Sequence, residues 1–361
     1  MQIEPGKTLM IFDEVQEAPE ALTSLKYFCE QAPEYHVAAA GSLLGVKIKR
    51  GIGFPVGKVD FMQMYPLSFS EFLDAKNEGD LAAMLASKAD FQRLPESLHL
   101  RLLDLLKVYM LTGGMPEAVA LHINGMDWPA VRLCQQAILR AYELDMAKHA
   151  PAALIPKLYQ VWQSILGQLA KENRKFKYVE VAKGARTRSH EDALQWLIDA
   201  GLLLKCCNLQ TAKLPLASYA DHEHFKVFLL DIGLLAAMAQ LDPLQFLRGE
   251  RLLSEFRGAF TENFVAQELT RHLGRPLYYW ASANKAEVDF VVEGAGLILP
   301  LEAKAGTVLN AKSLAVFLTR FKVPIACRAS AGGFARNGAY DDYPLYGLAA
   351  FPKLSSGPVT R

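Results

Sequence analysis

A short apolar run that ends in two adjacent acids limits how the beginning of this chain can fold. Residues 9–12 are Leu-Met-Ile-Phe, and Asp13 and Glu14 follow them directly. Such a run predicts a strand buried in a parallel sheet, where ligands collect at the carboxyl ends of the strands. Carboxylates at that end can hold the water shell of Mg²⁺ and orient an attacking water. The pattern predicts a metal-and-water site; a plain α/β strand with two exposed acids is the alternative.

A second strand is predicted beside the first. Apolar spacing predicts a helix over residues 20–31, and residues 37–40 form another short apolar run just before Ser42. A strand–helix–strand unit of this length places its two strands parallel and adjacent. We therefore expect Asp13, Glu14 and Ser42 at one crevice, where the Ser42 hydroxyl can sense a terminal phosphate.

Composition narrows the class of protein. The 361 residues suffice for two or three domains, and a hydrophobic content of 51% can supply their cores. With a net charge of +1, nucleic acid would have to bind a local basic patch. The five scattered cysteines form no C-x-x-C pair, which argues against a zinc site and favours a reducing, cytoplasmic location. No apolar stretch approaches the ~20 residues of a membrane span, so no membrane partner is expected.

The middle of the chain predicts helices and then a winged helix. Basic residues cluster between Lys171 and Arg188, and a helical pattern follows that ends at Gly201 before a strand-like run. Two helices followed by a strand are typical of a winged helix, whose second helix can enter a DNA major groove while basic side chains contact phosphates. DNA is therefore an expected partner, and a solvated face of an ordinary helical domain is the alternative.

Two apolar runs near the end predict a β-hairpin that carries charged residues. The run after Asp289 and the run before Glu302 flank a turn centred near Ala295 and Gly296. Counting outward from this turn places Asp289 opposite Glu302. Lys304 lies two residues beyond Glu302, so its side chain points to the same face of the strand. Two carboxylates and a lysine are therefore expected to converge on one patch.

This arrangement resembles the D…E-x-K site of PD-(D/E)XK nucleases. There the two acids, here Asp289 and Glu302, hold Mg²⁺, and the lysine, here Lys304, positions or deprotonates the attacking water. A helical segment over residues 258–269 supplies Glu262 as a further acid. A structural salt-bridge cluster and an inherited fold without cleavage are the alternatives.

Three motifs in order resemble those of a known family. Phe-Asp-Glu-Val-Gln-Glu-Ala-Pro at 12–19, Ala-Gly-Ser at 40–42 and Tyr-Pro-Leu-Ser-Phe-Ser-Glu-Phe-Leu at 65–73 occur in this order. They resemble the bacterial and archaeal AAA-type ATPase family whose members carry a DUF4143 C-terminal region. The resemblance implies a Walker B motif at Asp13 and Glu14, with Asp13 as metal ligand, and a sensor-like role for Ser42. It also implies ATP and Mg²⁺ as cofactors, and a homo-oligomer as an option.

The phosphate-binding loop of such ATPases, G-x-x-x-x-G-K-S/T, does not occur ahead of Asp13 in this sequence. Gly6, Lys7 and Thr8 lead directly into the first predicted strand, whereas a phosphate-binding loop opens a helix. The chain is therefore expected to resemble a family member that begins after its phosphate-binding loop. It is expected to bind ATP weakly or not at all by itself.

These inferences predict an α/β protein in four parts. They are a partial P-loop/AAA-type parallel sheet core over 1–75, a helical region over 76–150, a winged-helix-like DUF4143 region over 151–245 and a restriction-endonuclease-like, PD-(D/E)XK domain over 246–361. The expected function is that of an ATP-binding AAA-type ATPase family, with DNA as a candidate target and no hydrolysis by this chain alone. A Mg²⁺-dependent DNA nuclease and a non-catalytic DNA-binding or assembly protein are the alternatives.

Overall fold

The computed structural model of the chain describes residues 3–41, 57–171, 175–182, 187–248, 254–282, 286–307 and 312–356. Helices and strands occur in mixed order along it, so the protein is of the α/β class, as predicted. The chain divides into two compact units. The first comprises Met1–Met64 and Glu191–Leu203, and the second comprises Tyr65–His190 and Leu204–Arg361.

The first unit contains the predicted strand–helix–strand. Strand β1 (Leu9–Phe12), helix α1 (Pro19–Gln31) and strand β2 (His36–Ala39) follow one another. The two strands pair in parallel, with Phe12 opposite Ala39. The prediction of adjacent parallel strands is confirmed, because a helical crossover returns the chain to start the second strand in the direction of the first.

Strand β1 is more exposed than its apolar sequence predicted. Leu9 and Ile11 are 57% and 66% exposed, whereas Met10 and Phe12 are half-buried. The ring of Phe12 contacts that of Phe28 in α1, with centroids 6.1 Å apart. Because successive strand residues point to opposite faces, α1 covers only one face of β1. The strand is parallel as predicted, but the prediction that it is buried is wrong.

Most of the described chain between residues 69 and 199 is helical, and further helices lie between and after the later strands. These helices are α2 (Phe69–Ala75), α3 (Gly79–Ala86), α4 (Glu96–Thr112), α5 (Pro116–Ile123), α6 (Trp128–His149), α7 (Ile155–Leu169), α8 (Thr187–Asp199), α9 (Ile232–Met238), α10 (Pro243–Arg248), α11 (Ser254–Leu273), α12 (Lys312–Phe321) and α13 (Lys353–Ser356). Leu102, Leu106 and Tyr109 of α4 are buried, which matches the apolar face in its sequence.

The remaining strands form two sheets. One has the order β4–β3–β5–β6 and consists of β3 (Leu203–Leu209), β4 (Ala220–Leu229), β5 (Leu277–Ala281) and β6 (Glu287–Val288). The other has the order β10–β11–β9–β8–β7 and consists of β7 (Phe290–Gly294), β8 (Leu297–Ala303), β9 (Ala326–Ser330), β10 (Ala335–Asn337) and β11 (Tyr340–Pro344).

The four-stranded sheet joins strands from both sides of the predicted boundary between residues 245 and 246. Strand β3 pairs in parallel with β5, with Cys206 opposite Leu277. Helices α7 and α8, followed by β3 and β4, have the order predicted for a winged helix. The strands that would form the wing nevertheless belong to the same sheet as β5 and β6. Backbone hydrogen bonds therefore link the middle region to the C-terminal region.

The Pro-Leu-Ser-Phe motif begins helix α2. The Ser68 hydroxyl accepts the amide of Glu71 at 3.3 Å, and the Glu71 carboxylate accepts the amide of Ser68 at 2.8 Å. This reciprocal pair is a capping box, which satisfies donors that the first turn leaves open. Arg271 of α11 also donates to Glu71, over 2.7 Å. The motif therefore has a structural role. The capping box lies within the motif itself, whereas the contact with Arg271 depends on the tertiary fold.

The Gly113–Gly114 turn between α4 and α5 makes a close backbone approach. The carbonyl of Gly114 accepts the amide of Leu67 at 2.7 Å. A Cβ atom at Gly114 would lie 2.1 Å from the carbonyl oxygen of Leu67, a distance that no side chain permits. Gly113 has a φ of 74°, in the left-handed region that favours glycine. The turn therefore requires both glycines.

A buried carboxylate connects this turn to helix α9. Asp231, which is fully buried, accepts the amide of Gly114 at 2.6 Å and caps α9 by accepting the amide of Leu234 at 2.9 Å. Burial raises the pKa of Asp231 to about 6, although its hydrogen bonds from backbone amides act in the opposite direction.

Helix α11 presents polar side chains to the backbone of other segments. Asn263 binds both backbone groups of Leu229, accepting its amide at 2.8 Å and donating to its carbonyl at 3.0 Å. Gln267 accepts the amide of Ile232 at 2.9 Å, and Glu268 accepts the amide of Phe69 at 3.0 Å. Helix α11 thus fixes the ends of β4 and the starts of α9 and α2.

Membrane spans are not found in the part of the chain that the structure describes, where every helix is too short or too polar to cross a bilayer.

Replacing Gly114 with alanine is expected to destabilise the fold. The new Cβ collides with a backbone carbonyl that cannot rotate away, so we expect a loss of at least about 2 kcal/mol in the free energy of unfolding. Gly167→Ala is the matched control, because Gly167 is an exposed position of α7, nothing lies within 4 Å of its Cβ position, and alanine is the better helix former there. Urea unfolding of both variants tests this, and equal stabilities would contradict it.

Candidate functional site

The two N-terminal acids lie where the sequence predicted them. Asp13 and Glu14 are exposed and follow Phe12 directly, at the carboxyl end of β1. The amide of Ala40 donates to the carbonyl of Phe12 at 2.8 Å, and the amide of Val15 donates to the carbonyl of Ala40 at 2.9 Å. These bonds hold the connection after β1 against the end of β2.

The conformation of this connection positions the Asp13 carboxylate. Glu14 has a φ of 49°, in the left-handed region, and its amide donates to Oδ1 of Asp13 at 2.9 Å. A backbone donor of this kind orients a carboxylate without neutralising it. Ser42, the predicted phosphate sensor, lies outside the described residues.

Gly6, Lys7 and Thr8 do not form a phosphate-binding loop. Gly6 lies in a turn and donates its amide to the carbonyl of Glu34 at 2.8 Å. The Lys7 ammonium is 3.1 Å from the Glu4 carboxylate, and its side chain is 79% exposed. The segment leads into strand β1 and not into a helix, as the sequence predicted.

The predicted C-terminal hairpin is formed by β7 and β8. These strands pair antiparallel, with Phe290 opposite Leu301. The turn residues Ala295 and Gly296 have φ values of 46° and 76°. Positive φ at both central residues is typical of the two-residue turns that join twisted strands. The spacing in the sequence therefore predicted the register of the hairpin correctly.

This register brings together Asp289, Glu302 and Lys304. Phe290 pairs with Leu301, so Asp289 comes opposite Glu302, and Oδ2 of Asp289 accepts the amide of Ala303 at 2.9 Å. The Lys304 ammonium is 2.7 Å from Oε1 of Glu302. Burial raises the pKa of Glu302, and the hydrogen bond and charge of Lys304 act in the opposite direction.

A buried lysine lies among the acids, and sequence reasoning missed it. Lys226 of β4 is 1% exposed, and its ammonium is 2.5 Å from Glu287, 3.5 Å from Glu262 and 3.9 Å from Asp289. It also lies 5.1 Å from the centre of the Tyr279 ring. We call Lys226 with Glu262, Glu287 and Asp289 the Lys226 cluster. The signal that could have revealed it is a lysine within the apolar run at 225–229.

A charged row continues from the hairpin across the five-stranded sheet. Glu302 lies opposite Arg328 of β9, which lies opposite Asp342 of β11. Arg328 binds Asp342 through two parallel bonds, of 2.6 Å from Nε and 2.8 Å from Nη2. Opposed residues on neighbouring strands share one face, so the hairpin acids stand at one end of a polar row.

The acids that the sequence assigned to Mg²⁺ in the C-terminal site contact protein groups. Among the residues that the structure describes, no three His, Cys, Asp or Glu side chains are placed to hold a metal ion together. Oδ2 of Asp289 faces an amide and its Oδ1 faces the Lys226 ammonium, while Oε1 of Glu302 binds Lys304. The expected metal ligands are thus engaged with protein donors and an internal cation.

The N-terminal acids are of the ligand type that Mg²⁺ prefers. In nucleotide sites this ion takes one or two carboxylates and completes its octahedron with phosphates and waters. Asp13 and Glu14 are exposed and adjacent, so they offer carboxylate oxygens of that type.

Part of the predicted basic cluster is engaged in packing and pairing. Lys171 is 2.6 Å from Glu180, and His190 is buried with its Nε2 2.8 Å from Oε1 of Gln160. Lys177 is exposed. Arg174, Lys183 and Arg186 lie outside the described residues.

Three models of known domain families match parts of the chain. An AAA domain matches residues 1–73, one domain of unknown function (DUF8612) matches residues 103–245, and another (DUF4143) matches residues 257–347. The first and last of these matches are those of an AAA-type family with a C-terminal DUF4143 region, which confirms the resemblance of its motifs. No curated protein and no solved structure matches the chain.

Loss of Lys304 is expected to raise the pKa of Glu302 further. Lys304→Met removes the hydrogen bond and the positive charge that oppose the effect of burial on this carboxyl group. The pKa is measured by ¹³C NMR of the glutamate carboxyl carbons. Lys107→Met, which removes a lysine paired with Asp104 in α4, is the control and should leave the value unchanged. An equal pKa in both variants would contradict the pairing.

Proposed function

We propose that this chain is an AAA-type ATPase-family protein whose first unit supplies the metal and water side of an ATP site. The observation that carries the proposal is the position of Asp13 and Glu14, directly after β1 at the carboxyl edge of a parallel strand pair. Ligands of open α/β sheets bind at this edge. The AAA-domain match over residues 1–73 supports the same assignment.

Each acid has a distinct proposed role. Asp13, oriented by the amide of Glu14, holds a water of the Mg²⁺ shell, and Glu14 orients the water that attacks the terminal phosphate. Ser42 is proposed as the sensor of that phosphate. ATP and Mg²⁺ are accordingly the proposed cofactors, in a homo-oligomer where a neighbouring subunit completes the site.

The same unit lacks a cradle for the phosphates among its described residues. The connection from β1 to α1 carries three acids, Asp13, Glu14 and Glu17, which repel phosphate. Lys7 points into solvent beside Glu4. Without backbone amides and a lysine directed at the nucleotide, most phosphate contacts are missing. We therefore propose that the chain by itself does not hydrolyse ATP.

Calorimetric titration with Mg²⁺ and ATP tests the binding half of this proposal. We expect no micromolar affinity for the chain as it stands, because two carboxylates cannot replace the phosphate contacts. A micromolar dissociation constant would contradict the proposal.

A positive test uses the in-frame DNA upstream of Met1. If it encodes a strand, a G-x-x-x-x-G-K-S/T loop and a helix, the extended chain is expected to hydrolyse ATP. In that chain Glu14→Gln should abolish turnover, whereas Glu17→Gln, the same change three residues along, should spare it. Equal turnover in the two variants would remove Glu14 from the proposed role.

For the C-terminal region we infer binding or assembly, with DNA as the candidate partner, and not cleavage. The nuclease alternative requires a metal between Asp289 and Glu302, and the Lys226 ammonium lies 3.9 Å from Asp289. Exposed Lys177 and the basic residues near it in sequence support contact with phosphates in the middle region.

Incubation of linear DNA with Mg²⁺ decides between these alternatives. We expect the unmodified chain and Asp289→Ala to leave the DNA equally intact, because a backbone amide and the Lys226 ammonium face Asp289 while Lys304 binds Glu302. Glu293→Ala, which changes a neighbouring acid of β7, serves as the matched control. Cleavage that needs Mg²⁺, persists in Glu293→Ala and vanishes in Asp289→Ala would establish a nuclease.

A further inference from the structure

The ammonium of Lys226 is removed from water and surrounded by acids from three segments. Its side chain is 1% exposed, and Glu262 of α11, Glu287 of β6 and Asp289 after β6 lie around it. Glu262 and Asp289 are themselves buried, at 6% and 8% exposure. A lysine is almost never fully buried unless carboxylates pair with it.

The carboxylates in turn depend on the lysine. Three acids near one point repel one another, and burial removes the water that would screen them. The distances of 2.5, 3.5 and 3.9 Å place one positive charge within reach of all three. The Tyr279 ring, 5.1 Å from the ammonium, adds an aromatic face that favours a cation.

We propose that Lys226 is the resident cation of this cluster and supplies, among Glu262, Glu287 and Asp289, the positive charge that a divalent metal would otherwise supply. The cluster then forms without a metal ion, and a metal can bind among these three acids only by displacing the ammonium. The inference rests on the Lys226 cluster alone and not on the proposed ATP site, so the two can fail separately.

This role also explains how the cluster joins the two sheets. Lys226 belongs to β4, at one edge of the four-stranded sheet, and Glu287 belongs to β6, at its other edge. Asp289 leads into β7 of the five-stranded sheet, and Glu262 lies on α11. A single internal charge therefore connects both sheets and one helix.

The first experiment uses the unmodified full chain. After treatment with EDTA, its unfolding temperature is measured with and without millimolar Mn²⁺, and Mn²⁺ binding is followed by electron paramagnetic resonance. We expect no shift of the unfolding temperature and no tight binding. Tight binding of Mn²⁺ that raises the unfolding temperature and is lost in Asp289→Asn would overturn the proposal.

The second experiment removes the cation. Lys226→Met keeps a side chain of similar length but leaves buried Glu262 and Asp289 and half-buried Glu287 without a counter-charge, so we expect its unfolding temperature to fall by on the order of 10 °C. Mn²⁺ is expected to restore part of that loss, since the vacated position is surrounded by acids. Lys107→Met, at an exposed pair with Asp104, is the control and should change little. A Lys226→Met variant as stable as the control would overturn the proposal.

A third variant covers the case in which Lys226→Met does not fold. Lys226→Met combined with Glu287→Gln removes one negative charge together with the positive one. We expect this double variant to recover soluble protein and a higher unfolding temperature than Lys226→Met alone. If Glu287→Gln gives no recovery, the acids do not depend on Lys226 for charge balance, and the proposal fails.

Discussion

The second unit depends on one buried helix face that binds the backbone of other segments. Asn263, Gln267 and Glu268 of α11 satisfy amides and a carbonyl in β4, α9 and α2. Buried backbone groups must be paired, and an unpaired one costs about 1–3 kcal/mol. Because a turn or a strand end cannot supply these partners itself, helix α11 determines where each of the three elements begins or ends.

One of the motifs that identify the family, the Pro-Leu-Ser-Phe motif, belongs to this framework. Glu71 of the Pro-Leu-Ser-Phe motif caps α2 and binds Arg271 of α11, and the Gly-Gly turn lies against the backbone of Leu67. A resemblance built on these residues therefore establishes the fold more firmly than the activity. The acids that carry chemistry, Asp13 and Glu14, contribute little to that framework, since both are exposed.

Local patterns predicted the parts of the fold that depend on near neighbours. The β1–α1–β2 unit and the register of the β7–β8 hairpin follow from short-range spacing and from the turn at Ala295 and Gly296. The exposure of Leu9 and Ile11 did not follow, because burial of a strand depends on what covers each face. The sharing of one sheet by β3 and β5 depends on pairing between distant segments, which periodicity does not encode.

The C-terminal site shows the same limit. Spacing predicted that Asp289 comes opposite Glu302 with Lys304 alongside, and the structure brings these residues together. Lys226 comes from a strand more than sixty residues earlier, so only the tertiary fold reveals that its charge lies among the acids. The sequence pattern therefore predicted Asp289, Glu302 and Lys304 as members of the site but did not predict Lys226.

Asp231 gives the second unit an unusual response to acid. A carboxylic acid in an unfolded chain has a pKa of about 3.9, whereas burial raises that of Asp231 to about 6 in the fold. Between these values the folded protein binds more protons than the unfolded chain, so this group makes folding more favourable as the pH falls from about 6 toward about 4. Paired surface carboxylates act in the opposite sense. The ionised Asp231 carboxylate between the Gly-Gly turn and α9 therefore lowers the free energy of unfolding most at neutral and alkaline pH.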